Sequence, residues 1–142
     1  MTLARLLLSA CLGVFGLAAQ APAQDRDAIV LIGHAGAPRL DSATVQRLYT
    51  GRAVEVGGAP VVVVNGIPGT LLRERFMATV MDEDDDKFIA YWTVRKYIGE
   101  GTPPRELKSL ADVVAFVQAT SGGVGYVAAS EIRPGMNVVW RP

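Results

Sequence analysis

Cysteine is almost missing from this chain: one stands in 142 residues, at position 11, and the only histidine is His34. A single thiol forms no internal disulfide, and one histidine without companions makes neither a thiolate nor a histidine metal centre. The usual pairings of a nucleophile with a base have few members to draw on, so the sequence predicts no enzyme. No charge of one sign prevails either, with 14 Lys plus Arg against 14 Asp plus Glu. That balance offers no surface for nucleic acid or anionic membrane. Long apolar runs are also lacking. The longest, Leu6 to Ala19, has 14 residues broken by Gly13 and Gly16, short of the roughly 20 a membrane-spanning helix needs.

What stands at the amino end is the order of a secretory signal: Arg5, the apolar stretch, then small residues at Ala21 and Ala23. Cleavage is expected after Ala23, making residues 1–23 the signal and residues 24–142 a single domain in the periplasm. Leu8-Ser9-Ala10-Cys11 also has the form of a lipoprotein box, and lipidation at Cys11 is the minor alternative. Cleavage after Ala23 removes Cys11 and Arg5, leaving 13 basic against 14 acidic residues. The remaining length suits one domain with a core large enough to fold unaided.

Ala28 to Ile32 is a short, continuous, branched apolar run, which predicts a strand buried on both faces. A loop from Gly33 to Pro38 leads to a helix capped by Asp41 or Ser42, running through Tyr49 and stopped by Gly51. Val61 to Val64 predicts a second buried strand, reached through Gly57-Gly58-Ala59-Pro60 and left through Asn65-Gly66-Ile67-Pro68-Gly69. From Thr70, Leu72, Phe76 and Val80 recur at four-residue spacing, the stripe of an amphipathic helix. Another helix begins in the acidic run Asp82 to Asp86, where negative charge suits the positive end of the helix dipole, and reaches about Ile98. Ser109-Leu110-Ala111-Asp112 has the form of a capping box before a further helix, closed by Gly122-Gly123. Val124 to Ala128 and Met136 to Trp140 read as strands. Strands alternating with helices indicate an α/β layered domain.

Several pieces together resemble the phosphate-type periplasmic substrate-binding proteins. They are Leu-x5-Gln-Arg-Leu-Tyr-Thr-Gly from Leu40 to Gly51, the strand Val61 to Val64, the Gly69-Thr70 turn, Arg73-x-x-Phe76 and Tyr91-Trp92. The segment Gly99 to Pro104 and the ending Gly122-Gly123-Val124-Gly125-Tyr126-Val127 complete them, covering about Leu40 to Ser130. The resemblance implies a single lobe of a type II periplasmic-binding-protein-like fold, a central mixed sheet flanked by helices, where full-length members have two lobes with phosphate between them. One departure stands out. The family's Arg-Ser-Asp-Gly-Ser-Gly-Thr-Thr loop is replaced by Val63-Val64-Asn65-Gly66-Ile67-Pro68-Gly69-Thr70, which keeps the Gly-Thr core and lacks the charged residues that grip phosphate.

The Asn65-to-Arg73 segment is the leading candidate for chemistry. A glycine loop running from a buried strand into a helix presents free N–H groups at the positive helix end, ready for an anion. Asn65, Gly69 and Thr70 offer an amide, a backbone approach and a hydroxyl, and Arg73 or Arg75 a charge-assisted contact. The competing view makes Thr70 an N-cap and both arginines solvated. Ser121, beside Gly122 and Gly123, either faces the same site or belongs to a helix C-cap, the C-cap being favoured. His34 reads as a loop residue without a special role. The acidic run Asp82 to Asp86 reads as a solvated helix start rather than a calcium loop, since it lacks the spaced ligands of one. Tyr91, Trp92 and Tyr97 offer a stacking box, although helical spacing puts Trp92 in the core. No cofactor or metal is expected. The leading function is recognition of phosphate or a similar oxyanion for an ABC-type transport system, with a transporter membrane component or a second copy as partner. The alternative is an interaction or accessory module of an envelope transporter or sensor that keeps the fold without the ligand.

Overall fold

The computed structural model describes residues 26–142. The expected signal segment, residues 1–23, its expected cleavage point after Ala23 and Cys11 lie outside the described residues. Strand β1, Ile29–Gly33, is buried along its whole length, as its unbroken apolar run requires. Helix α1, Ser42–Tyr49, is capped by Asp41, whose carboxylate accepts from the Thr44 amide at 2.7 Å. The hydroxyl of Ser42 is used elsewhere, accepting from Trp140 Nε1 at 3.1 Å. Gly51 follows with φ +67°, and a Cβ there would stand 2.7 Å from the Trp92 ring. Both the turn and the indole packed over it therefore require glycine.

The segment expected to be a plain loop is a two-stranded hairpin, β2 (Glu55–Val56) and β3 (Ala59–Pro60), turning at Gly57-Gly58 with both φ values positive. A glycine pair between short extended pieces is the primed-turn signal that the loop reading passed over. Strand β4 spans Val62–Gly66 rather than Val61–Val64, and Val62 is exposed. Its first residues have no neighbour on one side, because the edge strand β5, Arg105–Leu107, pairs only from Val64 onward. That three-residue strand, Arg-Glu-Leu, has no apolar alternation to announce it; the segment before it reads as a rigid turn.

Helix α2, Leu71–Phe76, widens into a π-helical turn over Met77–Met81, ended by Asp82 in the left-handed conformation. Phe76 and Val80 are buried as their spacing predicts. Helix α3, Asp85–Tyr97, is capped by Asp84, and helix α4, Leu110–Ala119, by Ser109, whose hydroxyl accepts from the Asp112 amide at 3.1 Å. Strands β6 (Gly123–Ala128) and β7 (Asn137–Trp140) complete the chain.

Five strands form one mixed sheet in the order β5-β4-β6-β1-β7. β5, β4 and β6 are parallel, while β1 runs antiparallel to both β6 and β7. On one face Val45 and Tyr49 of α1, Phe76 of α2, and Phe88 and Trp92 of α3 pack with Ile29, Leu31, Tyr126 and Trp140 of the sheet. On the other, Val113 and Val117 of α4 cover Ile32, Val64 and Val127. Gly125 lets α4 approach this closely, since a Cβ there would meet Val113 at 2.7 Å and Val64 at 3.0 Å. The domain is thus α/β, a mixed sheet flanked by helices.

Candidate functional site

In an open α/β sheet, ligands gather where parallel strands end and helices begin. Here β4 ends in Asn65-Gly66 and enters α2 through Ile67-Pro68-Gly69-Thr70. Its neighbour β5 ends at Leu107 and enters α4 through Lys108-Ser109. The register Asn65 to Glu106 and Gly66 to Leu107 sets the two loops side by side. Between them lies a cavity of about 150 Å³, lined by Asn65, Gly66, Thr70, Lys108, Ser109 and Tyr126 with apolar neighbours including Leu72 and Leu110.

The floor of this cavity is fixed by a phenol. Tyr126, on β6, donates its hydroxyl proton to Asn65 Oδ1 and accepts from the Gly66 amide at 2.8 Å. Its ring stacks on Phe76 at 4.0 Å between centroids, with 5° between the planes. Burial pushes the phenol's pKa up, and its bond from Gly66 and the nearby Arg73 only partly oppose the rise. The hydroxyl is therefore a proton donor at any physiological pH. One layer below, buried Tyr49 donates to the Val64 carbonyl at 2.8 Å. Asn65 is itself buried, and among the described residues its amide nitrogen donates to no protein acceptor. Gly69 takes φ +82° at the bend. Thr70 caps α2: its hydroxyl donates to the Ile67 carbonyl at 3.0 Å and accepts, at 3.4 Å, from the Arg73 amide.

Arg73 differs from both sequence readings. It is neither solvated nor presented to the cavity. Its side chain is buried, with Nε donating to Asp85 Oδ1 at 2.8 Å and Nη1 donating to the Gly66 carbonyl at 2.8 Å and to Glu106 Oε1 at 2.7 Å. The guanidinium thus ties the β4 loop, the start of α3 and strand β5 together, and two carboxylates balance its charge. Charge-assisted bonds of this kind are the strongest such a side chain makes, and they commit it to positioning. Arg75 is half exposed and lies 3.4 Å from Asp27.

Ser121 also falls away from the others. It precedes β6, and the pairing of Val62 with Gly123 puts it at the opposite end of the parallel strands. The four steps from Val62 to Gly66 span about 13 Å at roughly 3.3 Å per residue. There Ser121 lines a separate cavity with His34, Pro38, Ala59 and Pro60. Gly122, at φ +74°, passes so close to β3 that a Cβ would lie 2.1 Å from the Pro60 carbonyl oxygen. Asn65, Gly69 and Thr70 are therefore brought together, Arg73 supports them from behind, and Ser121 is remote because it sits on the other edge of the sheet.

The remaining candidates take structural places. His34 Nδ1 lies 3.0 Å from the Val117 carbonyl, an acceptor, so that nitrogen carries the proton and ties the β1 loop to α4. Asp84 caps α3 and Asp85 holds Arg73. Among the described residues no three His, Cys, Asp or Glu side chains are grouped as metal ligands. Trp92 is buried and donates to the Tyr49 carbonyl at 3.1 Å, Tyr91 donates to the Thr50 carbonyl at 2.7 Å, and Tyr97 points to solvent. The three aromatics do not form one box. Sequence reasoning missed Lys108, Ser109 and the role of Tyr126, because β5 was not foreseen and Tyr126 lies some sixty positions from the loop it fixes.

No protein-family model matches the chain, and no curated protein does. Solved structures do. A putative phosphate ABC transporter substrate-binding protein with bound phosphate from Clostridium perfringens superposes with a TM-score of 0.63 at 21% identity. The fold is that of one lobe of a phosphate-type binding protein. An ABC-type phosphate transport receptor from Vibrio cholerae matches this lobe with a TM-score of 0.61 at 13% identity, and PstS from Borrelia burgdorferi with 0.59 at 14%. Each match covers 80% of the present chain but only 44 to 46% of the other. The chain thus spans under half the length of the proteins it resembles. The first of these neighbours is described as a substrate-binding protein and the second as a transport receptor. Among the described residues no helix of this lobe is long and apolar enough to cross a membrane.

Proposed function

We propose that this lobe is a periplasmic solute-binding protein that takes phosphate or a similar oxyanion at the carboxyl edge of β4, in the service of an ABC-type transport system. One observation carries the reading: the loops after β4 and β5 share a cavity that Asn65, Thr70, Lys108 and Ser109 line. The bend at Gly69 opens the α2 start, and the ten-residue α4 begins beside it. Helix starts favour negative charge through their free amides and dipoles. Lys108 supplies the formal positive charge that the replaced family loop lacks, and the buried Asn65 amide supplies a donor already held in place. Arg73 acts through Gly66, as a positioning residue.

A single lobe does not by itself close over a ligand as two hinged lobes do, so the affinity of this domain is modest unless a further domain, a membrane component or another protein covers the site. Isothermal titration of the purified protein with phosphate, and then sulfate, tests the reading. Saturable phosphate binding is expected, weakened about tenfold by Lys108→Ala through loss of the charge-assisted contact. Absence of heat with either anion up to millimolar concentration contradicts it.

A second reading has one observation in its favour. The buried arginine nearest the loop is already neutralised by Asp85 and Glu106, an arrangement that suits an interaction module in which the fold persists without its ligand. The same titration separates the two.

A further inference from the structure

Helix α3 has two apolar faces. Phe88 and Trp92 point into the core. On the other side Ala90, Thr93, Val94 and Tyr97 follow at i, i+3, i+4 and i+7, all exposed, with Tyr97 91% and Val94 60% accessible. Ile89 and Ile98 flank this stripe and are exposed as well. Three of the eight large apolar side chains left exposed among the described residues therefore sit on this helix, and a fourth, Ile98, directly follows it. Scattered apolar residues are ordinary, but a helical stripe of them marks a contact surface. Beside it Ile89, Thr93 and Lys96 line a groove of about 220 Å³ with Pro103 and Pro104, which extends the surface beyond the helix.

The charges on α3 identify the occupant. At its start Asp85 is held by Arg73 and Asp84 is the cap, paired with Lys87, which leaves Asp86 exposed; in its last turn Arg95 is held by Glu100, which leaves Lys96 exposed. A second copy of the helix laid antiparallel brings the acidic start of each against the basic end of the other, with the apolar stripes between and opposed helix dipoles. Parallel packing sets like charges together. A surface complementary to itself under a two-fold rotation is the requirement of an isologous dimer. A lipid surface fits less well, because interfacial helices carry Lys and Arg along the polar face and the acidic start repels anionic headgroups.

We propose that the chain forms a two-fold dimer through the outer face of α3, with Tyr97 of each copy anchoring one end of the contact. A large aromatic free of other packing is the typical anchor of such interfaces. The helix is about 20 Å long at 1.5 Å per residue, and its face with the adjoining groove is small beside the roughly 800 Å² per partner of a standard interface. The dimer is therefore expected to be weak and to depend on concentration. The proposal stands independently of the ligand reading.

Sedimentation equilibrium of the purified protein from micromolar to millimolar concentration tests it. A monomer–dimer equilibrium is expected, weakened about tenfold or more by Tyr97→Ser and unchanged by Val54→Ser, an exposed apolar position off this helix. Asp86→Lys and Lys96→Asp each weaken association, and the double variant restores it. All these positions are exposed, so circular dichroism should report an unaltered fold. A protein that stays monomeric throughout, or a dimer indifferent to Tyr97→Ser and to the charge exchange, overturns the proposal. So does a monomer that binds anionic phosphatidylserine vesicles through this face.

Discussion

Tyr126 is worth more to the candidate site than any residue on the loop itself, because a single hydroxyl satisfies Asn65 and the Gly66 amide together. Tyr126→Phe keeps the stack on Phe76 and removes only that oxygen, leaving a buried amide oxygen and a backbone N–H without partners. A loss of about 1–3 kcal/mol is expected, measurable by urea unfolding, together with faster amide exchange at Gly66. A loss confined to global stability, with Gly66 exchange unchanged, would contradict the assigned bridge. The partners of Arg73 are unequal in the same way. Asp85 is 18% exposed and Glu106 46%, so water replaces Glu106 more readily than Asp85. Asp85→Ala should therefore destabilise the protein more than Glu106→Ala; the reverse order in thermal melts would show that β5 rather than α3 depends on the arginine. Position 73 also shows why the sequence misled. Arginine in the first turn of an amphipathic helix looks solvated or ligand-facing, and the two carboxylates that bury it stand 12 and 33 positions away.

At the scale of elements, legibility followed local chemistry. The helices after Asp41, Asp84 and Ser109 begin where an oxygen-bearing side chain meets a free amide, an interaction three residues long and so visible in the sequence. β1 was legible as a continuous apolar run, and β6 as the strand that follows Gly122-Gly123. β5 was not, since a three-residue edge strand of Arg-Glu-Leu is defined by its partner, and the lysine that follows it was missed for the same reason. The caps also give the pH response a sign. Backbone bonds from Thr44 and Lys87 hold the carboxyls of Asp41 and Asp84 below their ordinary 3.8. A carboxylate with a lowered folded-state pKa contributes stability that is present above its unfolded value and disappears as pH falls through the folded one. Helical signal should thus weaken below about pH 4. The variant carrying Asp41→Asn and Asp84→Asn, which keeps cap oxygens without the titration, should show a flatter profile there; an unchanged profile would remove the caps from the account. Ser109→Ala, by comparison, should cost about 1 kcal/mol at every pH, read from denaturant midpoints.

For the whole molecule, one mixed sheet with α1, α2 and α3 on one face and α4 on the other builds a complete core, so half the length of a two-lobed binding protein suffices for a fold. It also leaves the carboxyl edge of β4 and β5 open among the described residues. The overall architecture was legible from the alternation of strands and helices and from the family resemblance; whether Ser121 faces the Asn65 loop or only follows the end of α4, the favoured reading, was left open, because only strand direction decides which edge a loop occupies. The separation of Ser121 from that loop makes the central claim directly testable. Titrating phosphate into isotopically labelled protein and following its amide resonances should move Ile67 to Leu72 and Lys108 to Leu110 together, while those of His34 to Pro38 and Ser121 stay still. Saturable shifts confined to the second group, or none in either, would contradict an oxyanion site at the carboxyl edge of β4.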